Sequence, residues 1–421
     1  MKTIKHVSAP GHRLPAHEAD AAMKPPGRAV SDHAASGRDL SAFEESAAGL
    51  PAAADGQRNP GRGLFGPGRR AMRWGRFSFH GDLRVVAVFA VIVVAALAAG
   101  WWGLICGSSR LGMAEAFGAL AGTADEGTAR VILEWRLPRV VFTLLGGAAL
   151  ALSGAVFQSQ TRNPLGSPDI IGFSTGAYTG ALLLAVFGLS GLVATPMAAI
   201  LGGLGTGVLI YLLAWKRGVS GLRIIIVGIG VSIFLGSLNT YLVTTLSLED
   251  AMTVATWGAG SVNDITWNHV WPVLGALVVI LLVMLSRARE MTFMEMGDDA
   301  SQGLGIRIEA VRLVQYIGGI ILVAVVTAGA GPIAFVALVA PQVALRLTRS
   351  SSVQLLPSAA MGALLLTASD VLARSPLLPM QPPVGVVTLC LGGAYLVWLL
   401  IGIGRITAGP RKTTGTRRRR G

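Results

Sequence analysis

Charge is scarce along most of this chain. Asp, Glu, Lys and Arg make up 14% of its 421 residues, against roughly 25% in a soluble domain. Twelve of the 35 lysines and arginines lie in residues 1–82 and seven in 405–421, leaving 16 for the long middle. Apolar residues reach 52% and the mean hydropathy is +0.61. So little charge cannot coat a water-facing globule of this size, which excludes a soluble enzyme. Cysteine is nearly absent. Cys106 and Cys390 are the only two and have no CxxC or Cys/His spacing, which excludes a disulfide framework and a zinc cluster. Both read as buried small apolar residues. Lysine is also rare. None of the five (Lys2, Lys5, Lys24, Lys216, Lys412) follows a glycine, so the phosphate-cradling Gly-Lys-Ser/Thr loop of a nucleotidase is missing. Acids are missing from the centre of every apolar run. Asp169, Asp264, Asp298, Asp299 and Asp370 sit at the ends of such runs. An ion-coupled secondary transporter usually carries acids or broken helices at the bilayer midplane, so that reading is the weaker one. No nucleophile–base pair or metal cluster stands out. The chain reads as non-catalytic, with no cofactor and no metal.

What is present is membrane-spanning sequence. A helix needs about 20 apolar residues to cross the hydrocarbon core. Charge-poor stretches at 85–109, 140–161, 224–248, 265–286, 350–369 and 375–404 each supply one span. Residues 170–215 supply two, broken near 190–195, and 313–345 must hold two more, broken at 328–332. That last pair is too short for two full crossings at 1.5 Å per residue. One of its helices is therefore short, or Arg346 snorkels from inside it. The fold class is all-α, a polytopic membrane protein of about ten helices. With both ends cytoplasmic, the inner loops hold ten basic residues and the outer loops five, as the positive-inside rule requires. Residues 1–82, rich in Ala, Gly, Pro, Arg and Ser and without sustained period, read as a cytoplasmic, disordered extension. Residues 406–421 read as a basic cytoplasmic tail, with Arg417 to Arg420 touching anionic membrane lipid. The formal charge of +13 sits largely in these ends, so nucleic acid is not a partner. Gly172, Gly176 and Gly180 recur every four residues and read as a helix-packing strip.

A pore without an engine needs a platform for a partner that has one. The long inner loop is 287–312. It mixes Met and Phe with charge through Glu295-Met296-Gly297-Asp298-Asp299 and Leu304-Gly305.

At these residues a resemblance emerges. Glu134-Trp135-Arg136-Leu137-Pro138-Arg139, Gly154-Ala155-Val156-Phe157-Gln158 and Arg162-Asn163-Pro164-Leu165-Gly166-Ser167-Pro168-Asp169 follow one another in order. Trp257-Gly258-Ala259-Gly260-Ser261, Gly297-Asp298-Asp299 and Gly331-Pro332-Ile333-Ala334-Phe335-Val336 come next in register. Across about 83–405 the chain resembles the FecCD-like permease subunits of bacterial ATP-binding-cassette importers for iron–siderophores, haem and cobalamin. The resemblance implies the type II importer permease fold and transport of a ferric siderophore by alternating access. Haem or cobalamin is the alternative cargo. The implied partners are a second permease subunit, a related chain rather than another copy, two ATPase subunits and an extracytoplasmic substrate-binding protein. Runs 162–169 and 295–299 most resemble the ferric-enterobactin type, which points to a catecholate. The resemblance also implies roles for particular residues. Arg136, Arg139 and Arg374 would receive acids of the binding protein at the outer face. Arg374 has a rival partner in Asp370, four residues earlier. Glu295, Gly297, Asp298, Asp299, Leu304 and Gly305 would form the ATPase coupling loop. Ser232, Ser237 and Asn239, in the fifth span, are the expected pore lining, with hydrogen bonding across helices as the alternative. One departure stands out: the family's Pro-His reads Pro341-Gln342 here, so no role can rest on that histidine's titration.

Overall fold

The computed structural model describes residues 69–74, 77–106, 111–189, 194–216, 221–375 and 380–407. The remainder of the expected N-terminal extension, residues 190–193 of the break expected near 190–195 and residues 408–421 of the expected basic tail 406–421 lie outside the described residues. The spans are α1 (Leu83–Ile105), α3 (Glu126–Thr161), α5 (Phe173–Val186), α6 (Ala194–Ala214), α7 (Gly221–Thr245), α9 (Trp267–Ser286), α12 (Ile308–Ala330), α13 (Val336–Thr348), α14 (Leu355–Ala373) and α15 (Val384–Thr407). Between them lie the short helices α2 (Met113–Ala121), α4 (Pro168–Ile171), α8 (Leu248–Gly258), α10 (Ala288–Glu295) and α11 (Asp298–Gly303). Seven of the spans are long and apolar enough to cross a membrane, and α5, α13 and the apolar part of α15 are shorter apolar helices. Together they match the ten expected spans. Arg69–Trp74 and Phe77–Asp82 pair as an antiparallel hairpin just before α1, where the sequence reading had expected no regular structure.

The crowded pair resolves as inferred. α12 has 23 residues and α13 has 13, about 20 Å at 1.5 Å per residue. Arg346 lies inside α13, with its guanidinium 5.0 Å from the Trp398 ring centre and 5.8 Å from that of Tyr395.

Helix α3 is the axle of the fold. Its apolar window is 83% buried, against 17% for α1 and α7. Lipid gives no hydrophobic drive for one helix to seek another, so close packing and interhelical hydrogen bonds must hold them. α3 is built for both. Gly147 faces Gly362 of α14 so closely that a Cβ on either would strike the other's carbonyl. A Cβ on Gly154 would strike the Ala337 carbonyl of α13. Ser153 Oγ donates to the Gly319 carbonyl of α12 at 2.8 Å, and Thr367 Oγ1 meets Thr143 Oγ1 at 3.1 Å. Phe157 packs among Phe173 and Tyr316, with ring centres 5.4 and 5.6 Å away. The glycine strip is packing, as expected. A Cβ on Gly176 would strike Thr206, and one on Gly180 would strike the Ala198 carbonyl, both on α6. α9 opens with a reciprocal cap, Thr266 N donating to His269 Nδ1 at 3.2 Å, which gives His269 a local task. Cys106 is half-buried and Cys390 exposed on α15, which corrects the expectation that both are buried.

Candidate functional site

The inner loop is two short helices set at an angle. Gly297 joins α10 to α11 at φ +129° and Gly305 follows α11 at φ +78°, backbone conformations that disfavour any residue with a Cβ. Ser301 is enclosed, and its hydroxyl donates to the carbonyls of Phe293 (2.9 Å) and Gly297 (2.7 Å), fixing α11 against α10. The expected coupling residues then divide in two. Leu304, 61% exposed, faces out with Met296, Asp299 and Gly305. Glu295 and Asp298 turn inward. Ser159 Oγ donates to Glu295 Oε1 at 2.9 Å, and burial pushes that carboxyl up from its ordinary value against this bond and one from the Val353 backbone. Asp298 accepts from Arg162 Nη2 at 2.5 Å and from Arg312 Nη2 at 3.2 Å. Burial alone would raise its pKa. The Arg312 guanidinium, and then that of Arg162, more than offset this and hold it below the usual range. The platform therefore has an outer face of Met, Leu and Asp and an inner face bolted to the bundle.

At the other end the three arginines are turned inward. Arg136 is buried, and its Nη1 donates to the carbonyls of Leu104 (2.8 Å) and Ile105 (2.9 Å), capping α1. Arg139 and Arg374 each give Asp370 a bond of 2.6 Å. Arg374 also donates to the carbonyls of Gly103 and Cys106. Asp370 is fully enclosed. Burial and these bonds make the three arginines expected at the docking face a clamp that gathers the ends of α1, α3 and α14. The i,i+4 pair of Asp370 and Arg374 is the local tie the spacing suggested.

A cavity of about 600 Å³ opens between α5, α7 and the link from α12 to α13. Thr175, Tyr178, Asn239, Thr240, Thr244 and Asp169 are among its walls. Asn239 is buried, its Nδ2 3.4 Å from the Thr175 carbonyl and its Oδ1 without a hydrogen-bond partner. Of the expected pore residues, Asn239 lines this cavity. Ser232 instead meets Thr175 Oγ1 at 3.3 Å, and Ser237 is exposed and bonds back to the Ile233 carbonyl of its own helix. Asp169, which closes the 162–169 run and borders an apolar stretch, gains a place on this wall. Burial pushes its carboxyl up to about 6, opposed by Ser174 Oγ at 2.9 Å, the Phe335 backbone and Ser167. The sequence reading also gave no role to Gln158, Ser159 and Gln160. Their signal was a polar run closing an apolar helix.

The substituted position joins this run. Gln342 Nε2 donates to Gln158 Oε1 at 2.7 Å, and Gln158 Nε2 donates to the Leu338 carbonyl at 2.9 Å. The amide thus keeps a hydrogen-bonding role without a titratable ring.

A loop bolted to the bundle at one end and an enclosed arginine clamp at the other accord with what comparison finds. The FecCD transport family model matches residues 89–402. The chain belongs to the FecCD transport family. Like other FecCD chains it is a non-catalytic permease of the cytoplasmic membrane, and ATP hydrolysis belongs to partner subunits. It is 45% identical to the ferric enterobactin transport system permease protein FepG of Escherichia coli over 76% of this chain and 96% of that one. It is 38% identical to the iron(3+)-hydroxamate import system permease protein FhuG of Bacillus subtilis over 66% and 86%. It is 30% identical to the hemin transport system permease protein HmuU of Yersinia pestis over 71% and 92%. Among solved structures, a metal-chelate type ABC transporter in an inward-facing conformation superposes with a TM-score of 0.67 at 26% identity, covering 75% of this chain and 99% of that one.

Proposed function

We propose that this FecCD permease carries a ferric siderophore of the catecholate type across the cytoplasmic membrane, with both termini inside. The observation that supports this most is the 45% identity sustained over 96% of an enterobactin permease. The chain works as one of two permease subunits, the other a related chain. It offers that partner the exposed flank of α7, where Ile226, Ile233, Phe234 and Tyr241 stand out. Ser237 lies on α7 exposed as well, beside the pathway the two subunits would share. Two ATPases dock beneath, on the exposed Met296, Asp299 and Leu304. Their closure on ATP shifts the relative population of inward- and outward-open states. A binding protein docks above and selects the cargo. Three arginines to one aspartate leave the outer clamp with net positive charge, which steers acidic lobes without requiring direct pairs.

Uptake of radio-iron as ferric enterobactin, as a ferric hydroxamate and as haem, in cells lacking this chain and in cells carrying it again, tests the reading. Loss and restoration confined to the catecholate supports it. Haem is the second reading, favoured by 30% identity over 92% of a hemin permease. Loss confined to haem would replace the first reading with the second.

A further inference from the structure

The end of α3 bonds or packs against several elements at this end of the bundle. Gln158 bonds α13 through Gln342 and Leu338. Ser159 bonds Glu295 at the end of α10. Gln160 Nε2 donates to the Arg312 carbonyl (2.9 Å) and to Gln315 Oε1 (3.0 Å) on α12. Arg162 donates to the Met294 carbonyl (3.1 Å) and to Asp298 at the head of α11. α7 starts here too, because a Cβ on its first residue, Gly221, would strike Thr161 Cα. Residues 158–162 thus reach five different helices. Ordinary packing asks for no such distribution. A polar side chain with no neighbouring helix to meet bonds back along its own, as Ser237 does.

The arrangement has a direction. The platform hangs on α3 by the bonds from Ser159 to Glu295 and from Arg162 to Asp298 and the Met294 carbonyl, and on α12 by the bond from Arg312 to Asp298, in addition to its covalent links. α3 in turn holds α13, and the link from α12 to α13 supplies Pro332 and Ala334 to the cavity wall. A push on α10 and α11 therefore has a bonded route to the cavity.

We infer that the last turn of α3 is the coupling lever of this permease. Ser159 and Arg162 are its input bonds, and Gln158 with Gln342 is its output. All four are positioning residues, and none needs to touch cargo or nucleotide. Because Gln342 replaces a titratable ring, the output bond is insensitive to pH. The inference rests on the platform reading above, that ATPases seat on Met296, Asp299 and Leu304.

The test uses the complete complex in proteoliposomes, measuring ATP hydrolysis stimulated by loaded binding protein, and uptake, on one preparation. Cutting an input bond, with Arg162→Gln or Ser159→Ala, leaves the ATPases bound and hydrolysing. Uptake per ATP falls about tenfold, within the range of ordinary coupling energies. Gln342→Leu does the same. Arg162→Lys keeps the ion pair with Asp298 and restores most of the ratio. Glu290→Gln, which alters only the neighbouring surface pair with Arg287, leaves it unchanged. Leu304→Asp is the separate arm for the platform reading: it releases the ATPases from the complex. If Leu304→Asp leaves them bound, the platform reading fails. If it releases them but Arg162→Gln and Ser159→Ala keep uptake per ATP at the wild-type value, the lever is overturned alone. Failure of both input variants to assemble overturns it too, since the bonds would then serve only to hold the fold.

Discussion

Asp370 is enclosed and holds two guanidiniums, of which Arg374 is 8% and Arg139 14% exposed. Breaking a buried pair by removing one partner costs about 3–5 kcal/mol, because the remaining charge stays buried and uncompensated. Asp370→Ala is therefore expected to lower the melting temperature in detergent sharply, whereas Glu126→Ala, at an exposed pair with Arg130, barely moves it. Asp298 gives a pH prediction. Its pKa is lowered in the native state, and a depressed acid adds stability that is complete above its unfolded value, near 3.9, and is lost as pH falls through the native one. The Asp298 bonds should hold from about pH 5 to 8 and loosen only well below pH 4. Limited proteolysis of the inner loop across pH 3–8 should show new cuts only at the acid end. Asp169 runs the other way. Its raised pKa, about 6, makes its contribution greatest below the unfolded value and lost as pH rises through 6. Asp169→Asn should remove that slope from a thermal-stability profile taken between pH 4 and 7.

At the scale of elements, glycine contacts decide how close the helices come. Gly147→Val on α3 would drive its branched Cβ into the Gly362 carbonyl of α14. It should therefore reduce the yield of folded chain, whereas Gly205→Ala on α6, where a Cβ meets open space, should be silent. The element order was legible because a span is a composition: 85–109 became Leu83–Ile105 and 265–286 became Trp267–Ser286. The start of α3 was not. The helix begins at Glu126, but Arg130, Glu134, Arg136 and Arg139 interrupt the apolar run, and counting charge could not tell a helix extending past the membrane from a loop. The same blindness hid the inward turn of the arginines. Their types and spacing were readable, but their burial depends on distant partners: the carbonyl end of α1 for Arg136 and Arg374, and Asp370, 231 residues on, for Arg139. Glu295 and Asp298 were found as loop residues. Their bonds to Ser159 and Arg162, 136 residues away in each case, have no local signature.

For the whole molecule, membership of a family of non-catalytic permeases leaves the driving of transport to partner subunits. The proposed platform would give such a partner somewhere to push. The most direct measurement is accumulation of iron-loaded siderophore in sealed proteoliposomes holding this chain, its second permease and their ATPases, with loaded binding protein on the outer face. The account predicts accumulation that requires ATP and every partner and is indifferent to proton and sodium gradients. Accumulation driven by an ion gradient in vesicles holding this chain without the ATPases would contradict it.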